Sequence, residues 1–273
     1  SAVVEFPDVR LLRPLLSVER AELTQFLKRQ GIAWIDDPSN ANEAFERVRL
    51  RQRLAADPGL AETARAGLID AGAHRIDLER EIASALAQWV VIDPLGGAYL
   101  SREGLRRLSG AVATGLIGRL VQSLGGAEHA PPTARTDALV DRLRSDEAFR
   151  GASLGRCRLL AAKAGVVTLC RECRGLPQAQ AVDGLARIVG WDGRFTVELP
   201  QGGTDAILAP LGADGWRQVP RDLRLTPRAV AMTLPALFQG AELVAHGLEN
   251  GDKGLKIRFR PKNSAAFIGF CIA

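Results

Sequence analysis

The chain has 273 residues, 47% of them apolar, which suits two or three cored units and excludes a disordered polymer. No run approaches the roughly 18 apolar residues of a membrane span, and the opening SAVVEFPDVR lacks the basic start and apolar stretch of a secretory signal. The net charge of +5 is unevenly placed: residues 1–60 carry nine basic and nine acidic side chains, residues 61–150 eleven and twelve, and residues 151–273 sixteen and ten, so a phosphate-rich partner is expected at the last third.

In chain order, residues 17–30 read as a helix capped by Ser17 and ended by Gly31, with Leu23, Phe26 and Leu27 as its apolar stripe. Asp37-Pro38-Ser39-Asn40 reads as a turn, because Pro fixes its backbone angle and Asp and Asn bond their own main chain. Asn40 and Glu43 have capping-box spacing, which predicts a helix from about Ala41 to Ala55. That helix carries Arg47, Arg49, Arg51 and Arg53. Arg47 and Arg51 lie one turn apart, as do Arg49 and Arg53, so the two pairs point to different sides. Leu50 and Leu54 are its expected packing residues. Guanidinium forks suit phosphate oxygens; the alternative is a solvated face paired with Glu43, Glu46 and Asp57.

Pro58-Gly59 reads as a break, followed by helical patterns from Ala61 to Val91 and a second break at Asp93–Gly97. Tyr99 and Leu100 suggest a short strand, Ser101 a cap, and 111–124 and 136–145 further helices. After Gly151 the texture becomes β-like. Cys157–Ala162 and Val166–Arg171 flank a hairpin turn, and 188–191 and 194–199 flank Asp192-Gly193, a strong two-residue turn signal. Strands are expected at 206–208, 216–219, 243–245, 256–259 and 267–272, with helical turns at 227–232 and 234–238. Arg258, Arg260 and Lys262 alternate along the 256–259 strand and beyond, so they can share one face. The expected class is α+β, a helical first half followed by a β-rich second half.

Four cysteines do not make a disulfide scaffold. Cys170 and Cys173 form a lone C-x-x-C, and Cys157 and Cys271 are isolated, so neither a zinc site nor a redox motif is expected. Ordinary thiols in a reducing cytoplasm are the simpler reading. His74, His129 and His246 are scattered, and neither G-x-S-x-G nor H-E-x-x-H occurs.

The ordered set R-P-L-L at 13–16, G-I-A-W at 31–34, D-P-S-N at 37–40 and the arginine helix resembles the end of the catalytic domain of tRNA(Ile)-lysidine synthases, a family of PP-loop ATPases. W-D-G-R-F at 191–195 and L-P-A-L-F at 234–238 resemble the later part of such enzymes. One departure is Val48, where the family often has Asn after the first arginine. The resemblance implies an ATP-dependent ligase that adenylates C2 of the wobble cytidine of tRNA(Ile) and lets free lysine displace AMP. It implies ATP with Mg and lysine as substrates, tRNA(Ile) as partner, and room for a homodimer. It also implies an S-G-G-x-D-S loop whose backbone N–H groups hold the ATP phosphates. No such loop occurs in these 273 residues. The expectation is therefore a piece of a longer enzyme, non-catalytic alone, holding no cofactor or metal.

Three parts are expected: 1–57, the tail of the PP-loop domain; 58–150, a helical tRNA-binding domain; and 151–273, a β-rich region, with the tRNA acceptor stem as its suggested ligand. A stand-alone RNA-binding or protein-interaction module is the main alternative. A tRNA thiolase would want catalytic cysteines or a zinc finger, which the isolated thiols do not favour.

Overall fold

In the computed structural model, residues 3–5, 9–15, 18–35, 37–145, 148–182, 188–199, 206–248, 255–263 and 265 are described. The expected cap Ser17, the glycines 202–203 and the expected strand at 267–272 lie outside them. The chain divides into two compact units, one built chiefly on residues 10–79 and the other on residues from 80 onward.

Val3–Glu5 (β1) and Arg10–Leu12 (β2) form a two-stranded sheet. The first helix is Arg20–Arg29 (α1), where the Glu19 N–H donates to Glu22 Oε2 at 3.3 Å and Gly31, at φ +67°, ends the helix. The Asp37 turn forms as its composition predicts: Asp37 Oδ1 accepts from the Ser39 N–H at 2.8 Å, and Pro38–Ala41 winds into a 3-10 turn. The expected helix start at Ala41 is not observed. Asn40 is used inside the 3-10 turn, and Asn42 Oδ1 accepts from the Ala44 N–H at 2.9 Å, so the helix Glu46–Ala56 (α2) begins five residues later. Pro58-Gly59 is a helix start rather than a break. Asp57 Oδ1 accepts from the Leu60 N–H at 2.9 Å, and Pro58 occupies a first-turn position that has no use for an N–H, so one helix runs over Pro58–Trp89 (α3).

The helical pattern expected to reach Val91 ends at Trp89, because Val90–Ile92 (β3) pairs with Ala98–Ser101 (β4) around the Asp93–Gly97 turn. Ser101 caps Arg102–Arg107 (α4), its Oγ accepting from the Gly104 N–H at 3.2 Å. Gly110–Gly125 (α5) and Thr133–Ser145 (α6) follow. Gly151–Leu154 (β5), Cys157–Leu160 (β6) and Val166–Arg171 (β7) complete an antiparallel sheet of order β3-β4-β7-β6-β5, which takes strands from both sides of residue 150. α5 carries fully buried Leu116, Ile117, Leu120 and Leu124 and packs on β6 and β7. Burying each such leucine contributes about 2 kcal/mol.

Gln180–Ala181 (β8), Ile188–Trp191 (β9), Phe195–Glu198 (β10) and Ile207–Pro210 (β11) come next. They precede two short helices, Gly212–Gln218 (α7) and Arg228–Ala231 (α8), and the strands Pro235–Gln239 (β12), Glu242–His246 (β13) and Lys256–Phe259 (β14). They form two antiparallel sheets, β14-β10-β9 and β13-β12-β11-β8. Two expectations are reversed here. The strand expected at 216–219 is the end of α7, where Leu211, Gly215 and Val219 are buried at a spacing of four, a helical period. The helical turn expected at 234–238 is β12, whose continuous buried run Pro235–Leu237 fits a central strand. Trp191, Phe195, Val197, Leu208, Leu234 and Leu237 form the core here. The molecule is α+β, with helices mostly in the first half and antiparallel sheets in the second.

Candidate nucleic-acid interface

The arginine helix is seated by one residue. Val48 is 3% exposed, whereas Leu50 is 52% exposed and Leu54 half-buried, so α2 packs by Val48 and not by its leucines. All four arginines are exposed. Arg47 lies over the Phe45 ring, 5.0 Å from its centroid, while Arg49 turns back to donate to the carbonyls of Glu43 at 2.6 Å and Ala44 at 3.1 Å. Arg51 and Arg53 make no hydrogen bond or ion pair among the described residues. None of the four pairs with Glu43, Glu46 or Asp57, and Glu43 instead accepts from Gln52 at 3.1 Å. Bonds from Ser39 hold the Asp37 carboxyl below its ordinary range, and the Arg47 charge adds to this effect.

The C-terminal basic residues separate. β14 ends at Phe259, so the three do not continue along one strand. Arg258 pairs with Glu198 at 3.0 Å across the β10–β14 ladder. Beyond the strand, the Arg260 N–H donates to the Arg194 carbonyl at 2.7 Å and the Lys262 N–H to the Gly193 carbonyl at 3.1 Å. These bonds bring Arg260 and Lys262, both exposed, to one hollow of about 390 Å³ that also touches Trp191, Phe195 and Thr196.

The Asp192-Gly193 turn does more than reverse the chain. Both residues have positive φ, +51° and +65°, as a two-residue hairpin turn requires. The Asp192 side chain is buried and accepts from Arg171 Nε at 2.9 Å, Arg194 Nε at 2.8 Å and Arg156 Nη2 at 3.0 Å. Arg171 and Arg194 are fully buried, and burial lowers the Arg194 guanidinium to about 10, against the pull of Asp192. Sequence reading took this turn for a hairpin signal and missed its role as counter-ion. Only pairing across the two sheets reveals that role.

Sequence reading also missed Arg158, Arg174 and Arg228, which gather at a second hollow. Its available signal was the five basic and one acidic residues within 151–174. Among the described residues, no three His, Cys, Asp or Glu side chains form a group able to hold a metal ion, and no helix is long and apolar enough to cross a membrane.

Residues 1–57 match the model of a PP-loop domain. The chain is 34% identical over 260 residues to the tRNA(Ile)-lysidine synthase of Mesorhizobium japonicum, a match covering 90% of this chain and 54% of that one. The tRNA(Ile)-lysidine synthases of Ruegeria pomeroyi (32%, covering 89% and 57%) and Rhizobium meliloti (35%, covering 69% and 40%) match similarly. The chain is a homologue of tRNA(Ile)-lysidine synthases, and it spans about half the length of the curated relatives it matches.

Proposed function

We propose that the chain is the tRNA-handling part of an ATP-dependent tRNA(Ile)-lysidine synthase working in the cytoplasm. In this reading residues 1–57 end the PP-loop domain, 58–150 form a helical tRNA-binding part, and 151–273 a β-rich tRNA-binding part. The observation that carries it is the match to lysidine synthases across 90% of the chain. Exposed apolar side chains in the first unit add support: Phe26 is 55% and Leu68 75% exposed, the kind of surface that a partner domain covers. The 273 residues hold no S-G-G-x-D-S loop, and in this reading the adenylation step falls to such a loop in the full-length enzyme.

Binding of a tRNA(Ile) transcript by the 273-residue chain tests this reading, followed by fluorescence anisotropy at rising salt. Exposed, unpaired arginines should give binding at low salt that weakens steeply, since each neutralised phosphate contributes about 0.9 to the log–log slope. Absence of binding at low salt, or affinity indifferent to salt, would overturn it. The alternative, a stand-alone RNA-binding module, is separated by the reading frame upstream of Val3. An S-G-G-x-D-S sequence roughly 150–200 residues earlier, a spacing set by ordinary domain size, identifies the synthase.

A further inference from the structure

The second hollow of the later unit has a volume of about 690 Å³, within the range of roughly 300–1,000 Å³ usual for small-ligand sites. One wall is a face of the β5–β6 ladder. Ser153 and Arg158 are cross-strand partners, and Leu160, two residues on, shares the face with Arg158. Another wall is α8 and the residue after it, where Arg228 and Met232 stand one turn apart. The rim is the segment after β7 that carries Arg174.

Three features suit this hollow to an anion. The guanidiniums of Arg158, Arg174 and Arg228 are exposed and have no hydrogen bond or ion pair among the described residues. Against them stands one carboxylate in the lining, that of Glu172. The rim is also fixed from beneath. Arg171, fully buried, donates to the carbonyls of Glu172 at 2.7 Å, Arg174 at 3.0 Å and Gly175 at 2.8 Å. Three carbonyl oxygens of this segment are thereby bound to a cation, and Asp192 balances that cation in turn. What remains toward a ligand is three unpaired guanidiniums beside the apolar surface of Leu160, Ala229 and Met232.

Guanidinium forks phosphate and stacks on base planes. A duplex keeps its bases paired and stacked, whereas an unpaired nucleotide can be splayed into a hollow. We propose that this hollow holds an unpaired, phosphate-bearing nucleotide of an RNA strand, its phosphate forked by Arg158, Arg174 and Arg228 and its base against Leu160 and Met232. The proposal rests on the reading that this chain handles RNA.

The test uses the whole 273-residue chain and a short, fluorescently labelled single-stranded oligoribonucleotide bearing a 5′-phosphate. The oligomer should bind, and Arg158→Ala and Arg228→Ala should each weaken it roughly tenfold. Each should also lower the log–log salt slope by about 0.7, the single-strand value. A blunt RNA duplex of the same sequence should not displace it. Thermal melts verify folding, and if Arg158→Ala does not fold, Arg174→Ala should show the same loss. No oligomer binding, or binding unchanged in the variants, overturns the proposal. Displacement by adenosine monophosphate at the oligomer's own concentration overturns the RNA strand as the source of the nucleotide. A parallel measurement with tRNA(Ile) separates the two readings. If tRNA binds and the oligomer does not, the hollow fails and the tRNA reading stands. If arginine-dependent oligomer binding occurs without tRNA binding, the hollow stands and the tRNA reading fails.

Discussion

Three thiols show how burial alone divides chemically identical residues. Cys157 and Cys170 are buried, and burial pushes their thiols up to about 12 and about 11, while Cys173 is exposed. Because the thiolate is the reactive form, mild alkylation near neutral pH should modify Cys173 and spare the other two until the chain is unfolded. Peptide mapping by mass spectrometry measures this; Cys157 labelled in the native chain as fast as Cys173 would refute it. The two raised values also set a sign. Above pH 9 the unfolded chain releases protons that the folded chain retains, so the contribution of these thiols to stability is complete below pH 9 and is lost as pH rises toward 11–12. The C-x-x-C spacing gave no hint of this division. It arises because Cys170 sits in β7 while Cys173 lies past its end.

Among the elements, α2 carries the sharpest functional expectation. Arg47 and Arg51 share one side, and Arg49 is engaged with two carbonyls of the preceding loop. In a full-length enzyme containing this chain, Arg47→Ala and Arg51→Ala should each cost about 1.5–3 kcal/mol in kcat/KM at unchanged melting temperature, the value of a charged hydrogen bond. Arg49→Ala should instead lower the melting temperature, since it frees the Glu43–Ala44 loop. Equal activity losses from Arg47, Arg49, Arg51 and Arg53 substitutions would show the face assignment to be wrong. Much at this scale was legible in the sequence: the Asp37 turn, the Ser101 cap and both hairpins follow from residues whose backbone preferences act within four positions. The failures share a cause. Asn40 competed with Asn42 for the next turn, Pro58 could end or begin a helix, and the 211–219 and 234–238 segments were decided by packing partners far along the chain. Arg158, Arg174 and Arg228 were illegible for the same reason, as the hollow joins a sheet to a helix more than 50 residues later.

For the whole molecule, the basic surplus lies after position 150, and the 273 residues hold no S-G-G-x-D-S sequence. The isolated chain, supplied with ATP, lysine and tRNA(Ile), should form no lysidine; turnover by the purified 273 residues would refute this. The Asp192 ion cluster has a consequence for how the later unit comes apart. One carboxylate balances Arg156 and Arg171 at the edges of the β6–β7 hairpin together with Arg194 beside β10. If the β14-β10-β9 sheet melted alone, it would take Asp192 with it and leave the buried Arg171 guanidinium without its counter-charge, at a cost of about 3–5 kcal/mol. That penalty disfavours the form in which this sheet opens first. The slowest amide protons of the β14-β10-β9 sheet should therefore exchange with solvent no faster than those of the five-stranded sheet.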